Sequence, residues 1–92
     1  MIPGMDTHPR LAAGCRLSDQ SQGHTMLLMP ERALRLNGPS LEIVRRCDGR
    51  HTVAQIVQEL QAKYSKALPK KVEHDILEYL ELLHKERALD FE

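Results

Sequence analysis

Residues 48–64, DGRHTVAQIVQELQAKY, carry the clearest structural signal in the chain. Thr52 followed by Gln55 is a capping box, which marks the start of a helix. The apolar residues after the cap recur at spacings of three and four, so they share one helix face: Val53, Ile56, Val57, Leu60 and Tyr64. Gly49 before the cap is typical of the left-handed residue that ends a helix. These residues therefore predict two helices joined by a short turn.

The pattern predicts a helix on either side of this segment. The first helix runs from about Ser40 to Arg46, with Asn37 or Ser40 as its cap. Cys47 follows on its apolar side, where we expect a small buried residue. The third runs from Pro69 to about Lys85. Its apolar set is wider than one packing contact needs, so it either packs on two neighbours or leaves a groove open for a partner: Val72, Ile76, Leu77, Tyr79, Leu80, Leu82 and Leu83.

The N-terminal part of the chain reads as strands. Residues 25–36 form a hairpin with its turn at 30–32, because a short apolar run precedes the turn and period-two alternation follows it. Residues 15–17 add a third strand, and residues 18–24 are a polar loop. We therefore predict an α+β, winged-helix-like fold, in which a three-stranded antiparallel sheet precedes three helices. A flexible tail over 1–9 precedes a single domain over 10–92, and residues 88–91 pack on its core as a closing tail.

Composition excludes several functional classes. The 92 residues are 41% apolar and 28% charged, which is typical of a globular domain. No apolar run reaches the roughly 18–20 residues of a membrane span, and no signal peptide is evident, so we expect a cytoplasmic protein. Cys15 and Cys47 have neither zinc nor redox spacing. HExxH, Walker and GxGxxG motifs are absent as well, so we expect no enzyme activity, no metal and no cofactor.

Charge is unevenly distributed along the chain. Residues 1–72 hold 11 basic and 6 acidic side chains, whereas residues 73–92 hold 2 and 7. A winged-helix DNA-binding regulator is the alternative function for this topology, but its last helix would bring four carboxylates to the phosphates: Glu73, Asp75, Glu78 and Glu81. Arg45, Arg46 and Arg50 cluster at the end of the first helix. They are either a solvated helix end or a patch that docks a partner protein.

A hairpin leaves a strand edge unpaired, and such an edge can accept a peptide as a further strand. If Ala33–Leu36 is that edge and the third helix lies beside it, the two form a groove. Leu77, Leu80 and Leu83 would then line pockets for alternate side chains of the peptide. In the competing interpretation, the third helix buries all of its apolar residues in the core.

Four segments together resemble the PqqD family, the pyrroloquinoline quinone biosynthesis protein D family. They are Leu27-Leu-Met-Pro-Glu31, Leu34-x-Leu-Asn37, Ile43-Val-x-x-Cys-Asp-Gly49 and Thr52-Val-x-x-Ile-Val-x-x-Leu60. The likeness covers about residues 9–91. The chain departs from the family at Met29, where an aromatic residue is common, and in the Asn-Gly-Pro-Ser link that follows Leu36.

The resemblance implies a peptide chaperone of pyrroloquinoline quinone (PQQ) biosynthesis. Such a protein binds the precursor peptide PqqA as an added strand, here between Ala33–Leu36 and Val72–Lys85. It presents the peptide to the radical S-adenosylmethionine enzyme PqqE, which cross-links a Glu and a Tyr, and it holds no iron–sulfur cluster itself. The peptide-binding residues expected on this basis are Ala33, Leu34, Arg35, Leu36, Ile76, Leu77, Leu80 and Leu83.

Two further expectations concern protein partners. Arg45, Arg46 and Arg50 are the expected docking residues for the enzyme, on the strength of their clustering. A homodimer is a third possibility, because the hairpin joins the helices through Gly38-Pro39 and hinge segments favour exchange between chains. We expect neither nucleic acid nor a membrane as a partner.

Overall fold

Three helices and five short strands make up the part of the chain that this computed structural model describes, residues 4–19, 24–36 and 38–92. The class is α+β with antiparallel sheets, as predicted. In chain order the elements are β1 (Pro9–Leu11), β2 (Arg16–Asp19), β3 (Thr25–Met29), β4 (Arg32–Leu36), α1 (Gly38–Arg45), α2 (Val53–Lys63), α3 (Pro69–Lys85) and β5 (Leu89–Phe91).

The predicted hairpin and its third strand are present. β3 and β4 pair antiparallel around the two-residue turn Pro30-Glu31, with Met29 opposite Arg32. β2 pairs with the other side of β3, so the order in this sheet is β2-β3-β4 and β4 lies at an edge. β2 extends to Asp19, into the segment predicted as a loop, and residues 20–23 of that segment lie outside the described residues.

A second sheet corrects the prediction of a single N-terminal sheet. β1 pairs antiparallel with β5, with Pro9 opposite Phe91 and Leu11 opposite Leu89. The predicted closing tail over 88–91 is thus mostly a strand, and Leu89 buries its side chain in the core. Strands of three residues are too short to show an alternating pattern in the sequence.

The prediction of a flexible tail over 1–9 also needs correction where the structure describes it. The carbonyls of Met5 and Thr7 accept hydrogen bonds from the N–H groups of Ala54 and Val53, each at 2.9 Å. These N–H groups lie in the first turn of α2 and have no partner within the helix. Residues 5–7 therefore supplement the cap of α2, while residues 1–3 lie outside the described residues.

The helices lie close to their predicted bounds. Both bonds of the capping box are present, since the Gln55 N–H donates to Thr52 Oγ1 at 3.1 Å and the Thr52 N–H donates to Gln55 Oε1 at 2.8 Å. α1 begins at Gly38, two residues before its predicted start, and its candidate cap Asn37 lies outside the described residues. Gly49 adopts the left-handed conformation predicted for it, with φ at 78°.

The core lies between the three-stranded sheet and the helices. α3 supplies Ile76, Leu80 and Leu83, each at most 2% exposed, and α2 supplies its whole predicted stripe except the partly buried Tyr64. The remaining buried apolar residues come from the sheets, from α1 and from the turn after α3: Leu27, Leu36, Ile43, Val44, Cys47, Ala88 and Leu89. Among the described residues, no helix combines the length and the apolar character needed to cross a bilayer.

Candidate functional site

No strand of the described residues pairs with the outer edge of β4, so this edge presents backbone groups for pairing. Met29 and Arg32 flank a two-residue turn, so they form a hydrogen-bonded pair, and such pairs alternate along an antiparallel ladder. Leu34 and Leu36 therefore direct their N–H and C=O groups at β3. The corresponding groups of Ala33 and Arg35 point away from the sheet, and both residues are exposed. β4 thus offers two outward N–H groups and two outward carbonyls.

A cavity of about 220 Å³ lies between this edge strand and the C-terminal half of α3. Leu34 on the strand is 38% exposed and Leu82 on the helix is 49% exposed, while Leu83 forms the buried floor. Arg32 and Glu86 form an ion pair that joins β4 to the end of α3. The full lining is Met29, Arg32, Ala33, Leu34, Leu82, Leu83 and Glu86.

A second cavity, of about 340 Å³, continues along the outer face of α3. Leu82 lines both cavities, so they meet at its side chain. The second cavity is lined by two leucines and four residues with ionisable side chains, of which His74 and Glu78 lie 3.0 Å apart (Nε2 to Oε2): His74, Leu77, Glu78, Glu81, Leu82 and Lys85. We call the two cavities together the β4–α3 groove.

The structure brings only part of the expected peptide-binding set to this groove. Ala33 and Leu34 line it, Arg35 is exposed on the same strand, and Leu77 lies in its second cavity. Leu36, Ile76 and Leu80 are buried in the core, so their side chains do not face a guest, and Leu83 reaches only the floor. The side chains of Ile76 and Leu80 therefore belong to the buried face of α3, and that of Leu36 belongs to the buried face of β4.

Leu82, the most exposed of the large apolar side chains that line the groove, is absent from the expected set. It lies two residues from Leu80, which is about 200° around a helix, so it projects away from the core stripe. The sequence contained this signal, since Leu82 broadens the apolar face beyond what one packing contact needs. A large apolar side chain that is half exposed beside a strand edge is typical of a binding surface.

The predicted docking cluster divides into one engaged and two exposed arginines. Arg46 donates from Nε to Glu59 Oε1 at 2.9 Å and from Nη1 to Glu42 Oε1 at 2.8 Å. These bonds raise the pKa of Arg46, and the bond from Arg46 lowers the pKa of Glu42 against the effect of burial. Arg46 therefore joins α1 to α2, whereas Arg45 and Arg50 remain exposed.

Asp48 organises the turn between α1 and α2. Its Oδ1 accepts the backbone N–H groups of Arg50 at 2.8 Å and of His51 at 3.0 Å. Burial acts to raise the pKa of the Asp48 carboxyl, but these bonds and the contact with the His51 ring outweigh it and hold the pKa at about 2. His51 Nε2 also lies 3.2 Å from Glu59 Oε2, so this contact joins the turn to α2.

Cys47 is buried, as the sequence predicts. Its Sγ–H donates to the Ile43 carbonyl at 3.3 Å, and burial followed by the charge of Asp48 raises the pKa of the thiol to about 12. Cys15 is also a free thiol, and it is partly buried. Over residues 4–19, 24–36 and 38–92 there is no group of three or more His, Cys, Asp and Glu residues arranged to hold a metal ion.

Comparisons with known proteins agree with this architecture. Residues 24–89 match the family described as coenzyme PQQ synthesis protein D, PqqD. A "PqqA binding protein" of Xanthomonas axonopodis pv. citri is 39% identical over 85 residues, 91% of each chain. Another, of Xanthomonas euvesicatoria pv. vesicatoria, is 38% identical over 91 residues, 96% of this chain and 98% of the relative.

Two solved structures are similar over nearly the whole chain. The PqqD truncation of Methylobacterium extorquens PqqCD, described as a functional, stand-alone recognition element for ribosomally synthesized and post-translationally modified peptides, has a TM-score of 0.76 and 37% identity. It covers 98% of this chain and 95% of its own. PqqD from Xanthomonas campestris has a TM-score of 0.55 and 35% identity, covering 92% and 94%. This chain belongs to the PqqD family.

Proposed function

We propose that this chain binds the PqqA precursor peptide of PQQ biosynthesis, and that the peptide adds to β4 as a further strand. The relatives named PqqA binding proteins support PqqA as the ligand, since they align with nearly the full length of the chain. The observation that carries the mode of binding is the juxtaposition of an unpaired strand edge with the half-exposed Leu82 on α3.

Backbone pairing would supply a large share of the affinity. A guest strand beside β4 meets the outward N–H and C=O groups of Ala33 and Arg35, and each hydrogen bond contributes about 0.5–1.5 kcal/mol net. Successive guest side chains point to opposite faces of the sheet. Every second side chain therefore enters the β4–α3 groove, where Leu34 and Leu82 favour apolar groups, and the others face solvent.

Binding also has to order a flexible peptide, which costs roughly 2–5 kcal/mol or more. The apolar contacts at Leu34 and Leu82 offset this cost only in part, because both side chains are already half buried. We therefore expect moderate affinity, with a further contribution when an enzyme binds the complex.

We propose a role in presentation rather than catalysis. In this account the domain holds PqqA and the radical S-adenosylmethionine enzyme PqqE carries out the cross-linking of Glu and Tyr. The exposed Arg45 and Arg50 are the docking residues that we retain for the enzyme, whereas Arg46 already has two carboxylate partners. The cytoplasmic location and the homodimer formed by hairpin exchange remain predictions.

The sheet and three helices support a winged-helix-like description, but charge disfavours the DNA-binding alternative. In that class α3 would approach the phosphates. Asp75 and Glu78 are exposed on the outer face of α3, and Lys71 on the same helix is paired with Asp75 at 3.5 Å. Carboxylates in this position repel a polyanion at ordinary salt.

Arg35→Pro tests the strand addition. Proline removes the outward N–H of residue 35, which the hairpin itself does not use, so the guest loses a hydrogen bond and keeps an unsatisfied carbonyl. We expect the affinity for PqqA to fall by about 5- to 30-fold, equivalent to about 1–2 kcal/mol, in isothermal titration calorimetry.

Arg35→Ala is the matched control for this variant. It removes the side chain, which lies on the opposite face of the sheet from Leu34, but it retains the N–H. We expect its affinity to stay within about 2-fold of the unmodified chain, since an exposed arginine facing solvent contributes little. Equal losses in the two variants would contradict backbone pairing at this position. Thermal unfolding of both proteins checks that the hairpin is intact.

A further inference from the structure

The end of α3 places a non-glycine residue in a conformation that favours glycine. Arg87 has φ at 63°, and among the described residues it is the only non-glycine with a positive φ. The Ala88 N–H donates to the Leu83 carbonyl at 2.8 Å and the Arg87 N–H donates to the His84 carbonyl at 3.0 Å. This bond pair is a Schellman motif, whose left-handed position is usually glycine because a Cβ is strained there.

Helix-end electrostatics do not account for an arginine in this position. A cation near the C-terminus of a helix interacts favourably with the dipole, but the effect is small at an exposed site and salt screens it. His84 and Lys85 already supply basic groups in the last turn. Glycine would remove the strain, and the gain from the dipole is smaller than that relief. Stabilisation of the helix end therefore does not explain the arginine at position 87, which suggests that its guanidinium has a role in binding.

Arg87 lines a third cavity, of about 620 Å³, beside the turn of the hairpin. Met29, Arg32 and Glu86 line both this cavity and the β4–α3 groove, so the two cavities adjoin at the Arg32 end of β4. A peptide that leaves the groove past Arg32 passes over this cavity. Its full lining is Ala13, Cys15, Met29, Pro30, Glu31, Arg32, Glu86 and Arg87.

Charge in this cavity leaves Arg87 available. Arg32 and Glu86 neutralise one another through their ion pair. Glu31 lies on the hairpin turn and forms no ion pair with Arg87, and within the described residues no carboxylate oxygen lies within 4.0 Å of the Arg87 guanidinium. The exposed guanidinium is thus an unpaired fork of donors, a geometry suited to a carboxylate.

We propose that Arg87 binds an Asp or Glu side chain of the guest peptide, at a position just beyond the segment that pairs with β4. This inference rests on the proposed function, and it adds a residue that selects for an acidic group and fixes the register of the guest. The strand edge alone cannot fix a register, because its hydrogen bonds are the same for any sequence.

Arg87→Gly, Arg87→Lys and synthetic PqqA peptides test the proposal by calorimetry at two salt concentrations. Arg87→Gly relieves the strain, so we expect an unfolding temperature at or above that of the unmodified chain, yet at least about 5-fold weaker binding of PqqA at low salt. Arg87→Lys keeps the charge and should retain the larger part of the affinity. Replacing the acidic residues of PqqA by their amides, one at a time, should reproduce the loss at one position.

The combination of variants decides between the outcomes. We expect Arg87→Gly to bind two peptides equally well: unmodified PqqA, and PqqA with the amide at the one sensitive position. The interaction that the amide removes is already absent from this variant. Full affinity in Arg87→Gly, or equal effects of all amide substitutions, would overturn the role of Arg87 and leave strand addition at β4 intact. Failure of the unmodified chain to bind PqqA at all would instead overturn the proposed function, and the role of Arg87 with it.

Discussion

Leu82→Glu is expected to weaken PqqA binding by at least about 30-fold, equivalent to about 2 kcal/mol. Leu82 lines both cavities of the β4–α3 groove, so a guest strand covers it. A carboxylate there loses water when the guest binds, and an apolar side chain of the guest offers it no hydrogen-bond partner in return. It also adds to the negative charge of Glu78 and Glu81, which line the same cavity. Because Leu82 is 49% exposed, the fold should tolerate the change.

Leu68→Glu provides a matched control for this variant. Leu68 is 72% exposed and lies before the first residue of α3, at the opposite end of the helix from the groove. The same chemical change there should leave the affinity for PqqA within about 2-fold, since surface substitutions away from a binding site have small effects. Fluorescence anisotropy with labelled PqqA measures both variants. Unchanged affinity in Leu82→Glu, or equal losses in the two, would contradict the location of the groove.

Leu80→Ala is expected to lower the free energy of unfolding by about 2–5 kcal/mol, the range for leucine truncations in a packed core. Leu80 is fully buried, although the apolar pattern of the third helix places it among the expected peptide-binding residues. Denaturant unfolding measures this loss. Leu82→Ala, two residues away, should change the free energy of unfolding by less than about 1 kcal/mol. A stable Leu80→Ala variant with impaired PqqA binding would show that Leu80 faces the guest after all.

Periodicity and capping predict the helices of this chain well. The Thr52–Gln55 box and the apolar spacing after it give the start and the buried face of α2, and both are confirmed. Gly49 and the hairpin around Pro30-Glu31 are local signals of the same kind. Each depends on residues within a few positions of one another, so it can be read directly from the sequence.

Features that depend on distant contacts are not predictable in this way. The pairing of β1 with β5 joins residues about 80 positions apart, through strands too short to show a pattern. The lining of the candidate groove can be read only partly from the sequence for the same reason. The pattern shows that α3 has a wide apolar face, but only packing reveals that Leu80 is buried and that Leu82 is exposed. The ion pair of Arg46 with Glu59 is equally hard to predict, because the two residues belong to different helices.

An amide NMR titration of the chain with unlabelled PqqA tests the central claim, that the guest strand pairs with β4 beside α3. Strand addition predicts that the largest shifts fall on residues 33–36 and on α3 from Leu77 to Lys85. It also predicts that the amide protons of Ala33 and Arg35 become protected from exchange with solvent. Shifts centred on β2 or on the α1–α2 turn, or no shifts at saturating PqqA, would contradict it.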